Sequence, residues 1–150
     1  MKLSAAGTTI SRMTIDVWGG VPAGWRVEWQ PVRRLGECRW ADRVIVLADR
    51  LSEWMLPVVL VHEVVHAERG PSPRWARVRE EETVRQETAR RLIDVRALGE
   101  ALAARPWDPA GVAEELGAPV DVVLARLRGL HPAELAYLAR RLEEVRSCGC

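Results

Sequence analysis

Two histidines four residues apart, His62 and His66, flank a glutamate, Glu63. On a helix, positions i and i+4 project from one face, so both imidazoles come within reach of a single metal ion while Glu63 is offset around the axis. In zinc hydrolases with this His-Glu-x-x-His arrangement the imidazole nitrogens hold the metal, and the glutamate takes the proton of an acidified water. The flanks, Val58 to Val61 and Val64, Val65 and Ala67, are apolar almost all the way round, which reads as a buried helix. Two histidines and a glutamate buried there need partners, and a shared cation would satisfy all three. The competing reading, two core histidines bonded to carbonyls plus a buried ion pair, has to account for each polar group separately.

A third ligand is to be sought on the following helix. Gly70-Pro71-Ser72-Pro73 breaks the chain, with Ser72 as a cap and Pro73 at the first helical position, and a helix is expected from there to about Leu98. Val78, Val84, Thr88, Leu92 and Val95 recur at helical intervals and mark its inner stripe. Glu81 falls in the middle of that stripe, whereas Glu80 and Glu82 lie to either side and Glu87 points outward beside Arg90 and Arg91. A carboxylate on the core side of a helix is rare unless paired or bound to metal. Phase therefore selects Glu81, against the alternative that Glu80 to Glu82 are solvated acids favouring a helix start.

These groups must be carried by a chain of 150 residues, an ordinary length for one domain able to bury a core without staples. The 22 basic and 21 acidic residues nearly cancel, so the molecule as a whole is no electrostatic trap for nucleic acid or an acidic membrane. Three cysteines, Cys38, Cys148 and Cys150, argue for reduced thiols and a cytoplasmic location. No segment resembles a signal peptide, and the longest uncharged apolar run, Trp54 to Val61, is too short to span a bilayer.

The expected fold class is α+β, with residues 1–48 mainly strands, 52–104 the motif and third-ligand helices, and 107–146 C-terminal helices. Residues 1–12 read as loosely held. Strands are expected at Thr14–Trp18, around Trp25, Val27 and Trp29 up to Pro31, at Gly36–Ala41, and at Arg43–Ala48, the last buried. Together they would form a small, mostly antiparallel sheet, with Trp18, Trp25, Trp29 and Trp40 in its core. Ser52 can cap the motif helix, or regular helix can begin near Pro57. Beyond Pro106-Trp107-Asp108-Pro109, a helix, a Gly-Ala-Pro turn and a second helix from Val120 to Leu130 have the pattern of a helix-turn-helix flanked by Arg126 and Arg128. Glu114, Glu115 and Asp121 balance its charge, which favours packing over DNA reading. A last amphipathic helix runs from Pro132 to about Arg146, with His131 a loop or cap residue.

With these residues placed, the chain resembles the ImmA/IrrE family of small metallopeptidases. The resemblance rests on His62-Glu63-Val64-Val65-His66 after a strand, on Glu81-Glu82-Thr83-Val84-Arg85 continuing into Ala89 to Ile93, and on Val112 to Leu130 as a helix-turn-helix-like end. It implies zinc held by His62, His66 and Glu81, Glu63 as general base, and a protein substrate of the helix-turn-helix repressor type, in a bacterium or phage-infected cell. It also implies an edge strand above the motif helix, a role that would fall to Arg43–Ala48, aligning an extended peptide. Val84 and Arg85 depart from the family's Ala and Asn. The longer metzincin signature is not met, because Arg69 and Ser72 stand where it needs glycine and histidine. Two other classes stay open: a non-catalytic protein in which zinc only joins two helices, and a DNA-binding regulator using Val112 to Leu130.

Overall fold

The computed structural model describes residues 16–148 and has an α+β architecture: a three-stranded sheet followed by six α-helices. The described chain falls into two compact units, 16–84 and 85–148. The expected flexible start at residues 1–12, most of the first strand's beginning (Thr14 and Ile15) and Cys150 lie outside the described residues.

In the first unit, residues 17–20 form a turn where a strand was expected. The strands are β1 (Arg26–Gln30), β2 (Gly36–Arg39) and β3 (Val44–Ala48), in the order β1-β3-β2. The sheet is mixed: β1 runs parallel to β3, with Arg26 opposite Val44, and β2 runs antiparallel to it, with Gly36 opposite Leu47. The mostly antiparallel expectation is therefore corrected. The reason is β3 itself, which is apolar at every position and buried throughout, so it takes the centre and separates its two predecessors. Placing it at the centre also rules out Arg43–Ala48 as an edge strand. Among the described residues, the sheet's edges are β1 and β2.

The tryptophans do not form the expected core. Trp18 and Trp29 are exposed and Trp25 and Trp40 half-buried. The core beneath β3 is instead aliphatic, built with α1 (Leu56–Arg69), which packs against β2 and β3 and buries Leu56, Val59, Leu60, Val61, Val64 and Val65. Pro57 lies in its first turn, where a missing N–H costs nothing. Ser52 closes a turn ahead of it, its carbonyl accepting from the Met55 and Leu56 amides.

Beyond Gly70, Pro73 leads into a single 3-10 turn, Arg74–Ala76, and Ser72 makes no capping hydrogen bond, contrary to expectation. Helix α2 (Arg77–Leu92) follows, and the unit boundary falls within it, after Val84. Val84, Thr88 and Leu92 are buried as the phase argument requires, but Val78 is 87% exposed and Val95, half-buried, belongs to the next helix. The inner stripe begins only at Glu81, since the first turn of α2 projects past the packed part.

The second unit comprises the rest of α2 with α3 (Val95–Ala104), α4 (Pro109–Leu116), α5 (Val120–Arg128) and α6 (Pro132–Cys148). The single helix expected to reach Leu98 is broken at Asp94, whose carboxylate accepts from the amides of Arg96 and Ala97 and starts a new helix. Helix α3 packs on α4 and α6, and α4 on α5, around Leu98, Val112, Leu116, Val123 and Leu138. Gly117 ends α4 in the left-handed conformation (φ 65°), its amide returning to the Ala113 and Glu114 carbonyls, which makes the tight turn into α5. Arg126 does not flank α5 outwardly. It is 1% exposed, donating from Nε to the Ile93 carbonyl (2.9 Å) and from its two terminal nitrogens to Glu134 (3.0 and 2.5 Å). That carbonyl belongs to a helix end and would otherwise be unpaired. His131 is a cap residue, its Nδ1 accepting from the Ala133 amide and its own amide donating to Glu134. No helix of the described residues is long and apolar enough to cross a membrane.

Candidate metal centre

Helix α1 presents His62 and His66 side by side, ring centroids 4.8 Å apart and planes at 73°. The Glu81 carboxylate, from the second turn of α2, faces both. Its Oε1 lies 3.2 Å from His66 Nε2 and its Oε2 3.6 Å from His62 Nε2. One potential ligand atom from each of the three lies within 4.8 Å of the others, and all three residues are half-buried. Two imidazole nitrogens and a carboxylate oxygen converging in this way fit the donor set of a catalytic zinc, which takes three protein ligands and leaves a fourth position. Glu80 and Glu82, the neighbours rejected on phase, take no part in this group.

Glu63 packs against β2 and is 7% exposed, close enough to Glu81 to feel its charge. Gly36 makes its position possible: a Cβ there would lie 2.7 Å from Glu63 Oε1, 2.8 Å from its Cγ and 2.6 Å from Val59 Cγ1. Burial, reinforced by the charge of Glu81, pushes the Glu63 carboxyl up to about 8, opposed by the positive charge of Arg34. Cys38, half-buried on β2, has its thiol raised to about 12, first by burial and then by the charge of Glu63, and so keeps its proton.

Two supports were not read from the sequence. Trp40 donates its indole N–H to the His66 carbonyl (2.9 Å) and sets its ring edge-on to the imidazole, centroids 6.1 Å apart. This ties the strand-end tryptophan to the backbone of a candidate ligand. The second is the ion pair of Arg69, the last residue of α1, with Glu80, at 2.5 and 2.9 Å. It spans the Gly70–Pro73 break and fixes where α2 begins relative to α1, and hence where Glu81 points. Opposite charges on either side of a predicted break were the available signal. Glu87, expected to point outward, does so, bonding Arg90 and Arg91. Compared with protein-family models, curated proteins and solved structures, the chain matches none.

Proposed function

We propose that this protein is a zinc-dependent endopeptidase related to the ImmA/IrrE metallopeptidases. The observation that carries the reading is the convergence of His62, His66 and Glu81 from two helices. A zinc ion bound there would lower the pKa of a water and polarise a peptide carbonyl. His62 and His66 would hold the ion through ring nitrogens and Glu81 through a carboxylate oxygen. Glu63, next to His62 in the motif, accepts the proton of the attacking water and returns it to the departing amine. Trp40 holds the backbone of His66 in place. With β3 central, the strand suited to align an extended peptide is β2, an edge strand packed on α1 with Gly36 directly against Glu63. The substrate, by resemblance, is a repressor-type regulatory protein of a phage or stress-response system, met in the cytoplasm.

The test is metal analysis combined with Glu63→Gln. About one zinc per chain is expected, and the variant should retain metal and fold while losing cleavage of a protein substrate. Undiminished proteolysis by Glu63→Gln would remove the mechanism, and a zinc-loaded protein indifferent to Glu63 in every assay would favour a purely structural site. The DNA-binding alternative loses one of its two contacts, because Arg126 is committed to Ile93 and Glu134.

A further inference from the structure

The 3-10 turn and the first turn of α2 read Arg74-Trp75-Ala76-Arg77-Val78-Arg79. Trp75 and Val78 are each 87% exposed, a large aromatic and a branched aliphatic side chain left in solvent three residues apart on a helical path. Single exposed apolar residues are ordinary on a protein surface; here two of them stand one turn apart and are framed by charge. Arg74, Arg77 and Arg79 are also exposed, and none has an acidic partner among the described residues. The nearest acids on the chain are engaged elsewhere, Glu80 with Arg69, Glu81 facing the histidines and Glu82 in an interaction of its own. The segment therefore carries uncompensated positive charge around an apolar tip.

We propose that residues 74–79 are a docking surface for an acidic segment of the protein substrate that carries a large apolar side chain close to the bond to be cut. The proposal rests on the endopeptidase reading and supplies its substrate class. Val78 precedes Glu81 by three residues, about one helical turn or 5 Å along the axis. A chain lying on the patch thus lies beside the candidate metal centre. Arginine guanidinium groups recognise carboxylates through paired hydrogen bonds, and an exposed tryptophan offers a large, stiff apolar face for an aliphatic or aromatic side chain. A polyanion fits less well. A phosphate backbone has no apolar side chain to set against Trp75 and Val78, whereas a peptide places discrete carboxylates against the arginines and an apolar group against the tip.

The experiment uses the full chain carrying Glu63→Gln, so that binding is read without turnover, and a short fluorescently labelled peptide with aspartates around a leucine. Trp75→Ala should weaken binding about tenfold or more, as should the combined Arg74→Glu, Arg77→Glu and Arg79→Glu. The charge-reversed protein should bind the lysine counterpart of the peptide, a gain that structural damage would not produce. Equal binding of the acidic and lysine peptides, binding indifferent to these substitutions, or tighter patch-dependent binding of single-stranded DNA or phosphatidylserine vesicles would each overturn the proposal. Zinc content and cleavage are measured separately: a protein without zinc sinks the enzyme reading, while a zinc-bearing, active protein whose peptide binding ignores the patch sinks only this one.

Discussion

Arg69 and Glu80 meet across the break between two helices, the guanidinium Nε 2.5 Å and Nη2 2.9 Å from the two carboxylate oxygens. Each stands beside a candidate ligand helix face: Arg69 three residues after His66, Glu80 one before Glu81. The pair pulls Glu80 below the ordinary carboxylate range through its hydrogen bond to Arg69. Arg69→Ala should cost less than about 1 kcal/mol of stability, as expected for a partly exposed pair. Its effect on zinc affinity should be larger, about tenfold or more, because it orients the α2 ligand. Competition with a chelator, set against a thermal melt, separates the two effects.

The ligands themselves should behave unequally. His62→Ala and His66→Ala should abolish stoichiometric zinc, and Glu81→Ala should weaken it far more than Glu82→Ala, measured by metal titration. Dependence on Glu87 instead would contradict its observed pairing with Arg90 and Arg91.

Gly36 should tolerate no side chain. In Gly36→Ala the new methyl meets Val59 and Glu63 at 2.6 to 2.8 Å, so β2 or Glu63 must move. A stability loss of about 1–3 kcal/mol is expected. Cleavage should fall further than stability explains, with zinc content intact, when urea unfolding and turnover are compared. Normal turnover in this variant would show that Glu63 has no need of its observed place.

The Arg126–Glu134 pair predicts an acid limb of stability. Hydrogen bonding to Arg126 holds the Glu134 carboxyl down at about 2, below the ordinary value of 4.5. A group depressed on folding contributes fully above its unfolded pKa and is lost as it protonates in the folded state. Its contribution is therefore complete above about pH 5 and fades between there and pH 2, and Glu134→Gln should flatten that slope in urea titrations across pH. Removing the carboxylate in Glu134→Ala leaves a buried guanidinium with one partner fewer and should cost about 3 kcal/mol. By the same logic, any DNA-binding test through Arg126 would report unfolding, so Arg128 is the position to use.

Much of the candidate site was legible because it depends on short-range periodicity. The i, i+4 histidines and the phase of Glu81 against Val84, Thr88 and Leu92 follow from helix geometry alone, and the apolar run Val44–Leu47 announces a buried strand wherever it is placed. Tertiary structure decided what depends on which elements meet. It put β3 between β1 and β2, turned Arg126 inward onto an orphaned carbonyl, set Trp40 on His66 rather than in a core, and left Val78 outside. Asp94 broke a helix that propensity would have continued, by capping the next. Local pattern specifies the face a residue occupies on its own element. Whether that face meets protein, a partner's charge or water is settled only by long-range packing, which no window along the chain contains.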